Sequence, residues 1–232
     1  MAVLQDNVCG STADRDAVAL LGACMADEMR YRHAIALIDA ANSDDPNQAL
    51  DQGRMRPAEL VYAERMTTWL ARLYPHASEP LALAARAQHI RRWTVERATY
   101  PQGRAGYPRW RNDLKRRHAE LAGEILGKCG YAADEIARVQ ALIRKERLKR
   151  DPEAQALEDV VCLVFLEHYF ADFARKHDDE KLVAILRKTW AKMSETGHAA
   201  ALALPLDAAA QAMIERALSD EPAAEKAIQV PR

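Results

Sequence analysis

Between Leu157 and Leu166 the chain reads Leu-Glu-Asp-Val-Val-Cys-Leu-Val-Phe-Leu, two adjacent acids embedded in an apolar run. Asp151-Pro152 opens this stretch, as a capping acid and a first-turn proline open a helix. A helix that is apolar on every side belongs in a core. A carboxylate carried there needs a partner, since an unpaired buried charge costs several kcal/mol or more. Glu158 and Asp159 therefore demand a metal, an Arg or Lys partner, or shifted protonation, and they point to a site.

The rest of the sequence extends that helical reading. Ala and Leu are frequent, Gly is sparse, and the apolar period stays near 3.6, so the expected fold is all-α. With 232 residues the chain can bury one sizeable core. Residues 1–30 read as a leader, 31–218 as one helical domain and 219–232 as a frayed tail. A first helix is expected over Tyr31 to Ala41, ending at the turn formers Asn42-Ser43-Asp44-Asp45-Pro46. Further helices are expected after Pro57, from Ser78 to about Arg92, over the stripe Leu114, His118, Leu121 and Ile125, from Ala133 to Lys149, and from Pro152 to about Arg175. Two more, through Leu182 to Trp190 and from Ala208 to Leu218, complete the set. The segment Thr94 to Trp110, with Pro101, Gly103, Gly106 and Pro108, is expected to be a long ordered loop.

Four scattered cysteines, with no CxxC pair, exclude a disulfide framework and a zinc ribbon and suit a reducing cytoplasm. No apolar run reaches the length of a membrane helix, and no GxSxG or HExxH motif is present.

Three helices carry a polar residue on an apolar stripe: His89 with Leu81 and Ala85, His118 between Leu114 and Leu121, and Asp159 with Cys162, Leu163 and Leu166. Two imidazoles and a carboxylate suit one divalent metal ion. The plainer alternative is that each histidine is a hydrogen-bonded core residue and the acids pair with Arg86 or Arg144. A second constellation lies around the loop, where Arg91, Arg92, Arg97, Arg104, Arg109, Arg111, Lys115, Arg116 and Arg117 interleave with Trp93, Tyr100, Tyr107 and Trp110. Guanidinium groups and aromatic faces in that pattern suit an anionic small molecule or, through stacking, a nucleic acid. A third, Lys188 to Ser194 followed by His198, is expected to bring Lys188 and His198 within reach of a pocket.

Longer strings carry a resemblance. Pro57 to Met66, Ala84 to Trp93, Tyr100 to Tyr107, Leu157 to Glu167 and Lys188 to Ser194 resemble the family called domain of unknown function 4202, over about Tyr31 to Leu218. More remotely, the helix order resembles the HD-domain metal phosphohydrolases, with His89-Ile90 in place of their His-Asp pair, His118 in place of a later histidine and Asp159 in place of the last aspartate. Tyr62 stands where those proteins have a histidine, and Ile90 where they have a bridging aspartate. The resemblance thus implies an HD-like bundle with one metal held by His89, His118 and Asp159, or a fold without its metal. It further implies a metal-dependent phosphohydrolase in which Glu158 and His118 act in catalysis, while Arg86, Arg92, Arg104, Tyr107, Arg111 and Lys188 hold the anionic substrate. Two other readings stay open: a metal-free nucleotide- or RNA-binding module, and a protein-interaction scaffold.

Overall fold

The computed structural model describes residues 12–103 and 105–219, with the backbone alone for 12–24. Among the described residues the fold is all-α apart from one small hairpin. Helix α1 runs over Thr12–Ser43, far longer than the expected Tyr31 to Ala41, so much of the expected leader is helical. The expected tail beyond Ser219, like residues 1–11, lies outside the described residues.

The turn formers after α1 lead into a hairpin that periodicity did not announce, β1 (Gln48–Asp51) and β2 (Arg54–Pro57), antiparallel with Leu50 opposite Met55. Its two-residue turn, Gln52-Gly53, takes positive φ at both positions (47° and 77°), the geometry that matches the twist of paired strands. The carboxylate of Asp45 accepts from the backbone N–H and side-chain amide of Asn47, and from the N–H of Glu59. It thereby closes the hairpin's base and caps α2 (Ala58–Leu73), where Pro57 has no side-chain cap to offer.

Helix α3 (Glu79–Arg86) begins where Ser78 accepts from the Leu81 N–H. It stops six residues before the expected end, and the chain turns through Arg91 in a left-handed conformation (φ 50°). The expected loop is shorter than its Pro and Gly content suggested. Two 3-10 turns, Arg92–Thr94 and Arg97–Thr99, lead to α4 (Gly106–Lys128), which carries Tyr107, Trp110 and Arg111. Gly106 is required at this entry: a Cβ there would sit 1.7 Å from the Pro101 carbonyl oxygen. Helix α5 (Ala133–Arg144) ends at Lys145, again left-handed (φ 59°).

Helix α6 (Pro152–His168) is the apolar helix foreseen in the sequence, capped by Asp151, which accepts from the N–H groups of Glu153 and Ala154. It packs against α2, α3, α5 and the short helix α9 (Glu195–Leu202). The chain breaks at Tyr169 before α7 (Phe170–Ala174), so α6 does not continue to Arg175. Helices α8 (Asp179–Trp190) and α10 (Ala208–Ser219) pack on each other at the C-terminal side.

Candidate functional site

Glu158 and Asp159 are both buried, and one helical step sends them to different places. Asp159 is fully enclosed and accepts from Tyr74 (2.7 Å), the Gln155 amide (3.1 Å), the Ser194 N–H (2.8 Å) and the Ser194 hydroxyl (2.5 Å). Four donors satisfy its charge without a cation. Glu158 faces the other way, into a cleft, and forms an ion pair with Lys145, with Lys192 3.8 Å away. Burial raises the Glu158 carboxyl, but Lys145, Lys192 and Arg111 outweigh it and hold the group below the usual carboxylate range.

That cleft encloses about 1050 Å³. Its inner end is built from α2 and the turn after α3. Tyr62 stacks on His89 with ring centroids 4.0 Å apart and an interplanar angle of 11°. His118, from α4, is 5.9 Å from His89 and places Nδ1 2.8 Å from the Ile90 carbonyl oxygen. A carbonyl only accepts, so Nδ1 carries the proton and Nε2 keeps a lone pair. Burial, then the neighbouring His89, lowers the His118 pKa to about 3. Burial and the charges of Arg92, Arg111 and Lys145 likewise keep His89 neutral.

Between these rings and Arg92 lies Glu59, 3.4 Å from His89 Nδ1 and 3.6 Å from the Arg92 guanidinium. Burial raises its pKa to about 7, with a further push from Asp45, against the pull of Arg92 and His118. A carboxyl poised near neutrality in a cleft can take and return a proton at working pH. The Tyr62 hydroxyl, Gln88 Oε1 and His118 Nε2, all on residues lining the cleft, are buried without a hydrogen-bond partner.

The outer part is cationic. Arg92, Arg111, Lys115, Lys145, Lys181, Lys188 and Lys192 line the cleft against three carboxylates, Asp45, Glu59 and Glu158. Asp45 is occupied by the backbone of α2. Lys115 is half-buried, and burial together with Lys145 and Arg111 lowers its pKa.

Of the residues singled out in the sequence, His89, His118, Glu158, Arg92, Tyr107, Arg111 and Lys188 line this one cleft. Asp159 and Arg86 do not. Arg86 forks onto both oxygens of Asp39 (2.6 and 2.7 Å) and reaches the Thr67 hydroxyl, tying α3 to α1 and α2. Neither Arg86 nor Arg144, which pairs with Glu146, meets the acids of α6. His198 stacks on Trp190 (3.9 Å) and approaches its carbonyl, away from the cleft lining. Arg104 lies outside the described residues.

A metal held by His89, His118 and Asp159 does not fit this geometry. Asp159 points to Tyr74 and Ser194, and among the described residues no three His, Cys, Asp or Glu side chains form a group that could hold a metal ion.

The arginines around the expected loop are largely engaged with the protein itself. Arg91 pairs with Asp44, Arg97 donates to the Tyr100 and Pro101 carbonyls, and Arg116 and Arg117 pair within α4. Trp110 donates to the Val95 carbonyl and Tyr100 to Asp113, so the aromatics anchor the segment.

Sequence reasoning missed Glu59, Lys145 and Lys192 as cleft residues, and had Lys115 only as one of the cations of the Arg-rich constellation. Glu59 was legible in principle, because it shares a helical face with Tyr62 and Met66. Lys115 similarly stands one turn before His118. Lys145 reaches the cleft only because the chain is left-handed there, and no spacing announces that.

Among the described residues no helix is long and apolar enough to cross a membrane. No curated protein matches the chain, and no solved structure matches it. Residues 32–214, from within α1 into α10, match the family described as "Domain of unknown function (DUF4202)", and the chain belongs to that family.

Proposed function

We propose that the cleft binds a phosphorylated small molecule and hydrolyses its phosphate ester. The observation that carries this reading is the cationic lining: Arg111, Lys115 and Lys188 face the cleft with no carboxylate within 4 Å among the described residues. Like charges gathered in one cleft, with Glu158 as their shared counterion, raise the free energy of the empty cleft, and a phosphate dianion relieves them. Arg111 supplies a planar fork for phosphoryl oxygens, while the lysines act as point charges.

For the chemistry, Glu59 is the better base. Glu158 is ion-paired and held acidic, whereas the Glu59 pKa near 7 matches proton transfer at neutral pH. In the proposed step, water oxygen bonds to phosphorus as the bond from phosphorus to the ester oxygen breaks. Glu59 takes the proton from water and returns one to the departing alcohol. Arg111 and Lys115 offset the charge that gathers on the phosphoryl oxygens. His118 accepts through Nε2 and orients a hydroxyl of the substrate or the water.

Recognition of a nucleic-acid strand is less well supported, because the arginines it would use are engaged internally. The test is release of inorganic phosphate from a panel of sugar and nucleoside monophosphates, with Glu59→Gln and Arg111→Ala beside the wild type. Turnover lost in Glu59→Gln with binding retained, and binding weakened in Arg111→Ala, is the expected result. A wild type that binds no phosphate ester at low salt would overturn the reading.

A further inference from the structure

The cations of the cleft are not spread evenly. Arg111 and Lys115 stand one turn apart on α4 and face the same way. Lys145 ends α5, Lys188 lies in the last turn of α8, and Lys192 follows that helix. Glu158 on α6 is the carboxylate among them: it contacts Lys145 and Lys192 and lies in the field of Arg111. The other two lining carboxylates are engaged elsewhere, Glu59 beside Arg92 and His89, and Asp45 on the backbone of α2. Five cations thus share one carboxylate, an excess of four positive charges at this end of the cleft.

A phosphate monoester carries about 1.5 to 2 negative charges at neutral pH, roughly half of that excess. Matching it takes a second phosphate. Resting on the phosphorylated-ligand reading above, we infer that the natural ligand is a diphosphate or a bisphosphate, seated where α4, the end of α5 and the end of α8 converge, with Glu158 competing for the same cations. The cleft is large enough, since about 1050 Å³ lies at the upper end of small-molecule sites. The strongly buried Lys145 also has a reason to be there. Its ammonium pairs with Glu158, and it can turn part of that interaction to the second phosphate. The Lys115 amine, its pKa lowered first by burial and then by Lys145 and Arg111, fits a group that gains a counterion when an anion arrives.

The experiment is titration calorimetry at low ionic strength, without divalent metal, using inorganic phosphate and inorganic pyrophosphate as probes. Wild type, Lys115→Met and Glu158→Gln are compared, with thermal melting to establish that each is folded. Pyrophosphate should bind the wild type about tenfold or more tightly than phosphate, an increment that one well-placed ionic contact supplies. Lys115→Met should weaken pyrophosphate by about tenfold and phosphate by less, while Glu158→Gln should tighten pyrophosphate about threefold or more. Phosphate and pyrophosphate binding alike to the wild type would overturn the two-phosphate inference and leave the phosphate cleft standing. Binding of neither would remove the phosphorylated-ligand reading with it. A folded Glu158→Gln that binds pyrophosphate more weakly would overturn the competition assigned to Glu158.

Discussion

His118 Nδ1 and the Ile90 carbonyl oxygen, 2.8 Å apart, fix the tautomer of a buried imidazole and join α4 to the turn after α3. Both partners are almost wholly enclosed, so the ring is held neutral with its Nε2 lone pair turned away from that contact. Nitrogen-15 NMR should therefore show His118 as the Nδ1–H tautomer down to about pH 4. A protonated ring at pH 6 would contradict the arrangement.

The neighbouring groups set a pH dependence of stability with opposing signs. His118 and His89 have folded pKa values below their unfolded ones, so their contribution is complete above about pH 6.5 and is lost as pH falls. Glu59 is shifted the other way, to about 7, so its contribution is complete below about pH 4.5 and is lost as pH rises through 7. Between about pH 5 and 6 the histidines favour the folded state more at higher pH, and Glu59 opposes them. Glu59→Gln should steepen the rise of unfolding free energy with pH across that window by roughly 1.4 kcal/mol per unit, one proton's worth. Denaturant titrations at pH 5 and pH 6 measure it, and an unchanged slope would place the titration elsewhere.

Gly106→Ala puts a methyl group into the Pro101 carbonyl at the start of α4. The backbone there must move, and with it Tyr107 and Arg111. A loss of about 2–4 kcal/mol in unfolding free energy is expected, accompanied by weaker phosphate binding. Gly127→Ala, on the same helix, would meet its nearest neighbour only at 4.0 Å and should leave both nearly unchanged.

Arg86 and Asp39 form a fork-like ion pair between α3 and α1, outside the cleft lining. Arg86→Ala strands the Asp39 carboxylate and should cost about 1–3 kcal/mol, most of it recovered when Asp39 is also replaced. Phosphate affinity should stay within about twofold in both variants, as expected for a pair whose partners lie outside the cleft lining. A selective loss of affinity in Arg86→Ala would return that arginine to the binding site.

The helical class, the core helix with its two acids, and the stripe bearing His118 were legible because each rests on local periodicity or local chemistry. His89, by contrast, lies in the turn past the end of α3 and so on no helical stripe. What lay beyond reach was direction. Glu158 and Asp159 are adjacent in sequence, and only the packing of α2, α5 and α9 around α6 decides that one meets Lys145 and the other Tyr74 and Ser194. The hairpin escaped notice because its strands are four residues each and none of their residues is fully buried, leaving too short and weak a pattern to read. The Arg-rich segment pointed to the right region, yet its composition could not separate Arg111, which faces the cleft, from Arg97, which braces its own turn.

The Asp159 clasp also bears on the order in which the molecule assembles. Its bonds to Tyr74 and Ser194 close chain separations of 85 and 35 residues, and such closures cost least entropy once the intervening helices are in place. The expectation is a late contact, formed after the folding barrier. Asp159→Asn should accelerate unfolding while leaving the refolding rate nearly unchanged, so that this carboxylate acts on the lifetime of the native state rather than on the speed of reaching it.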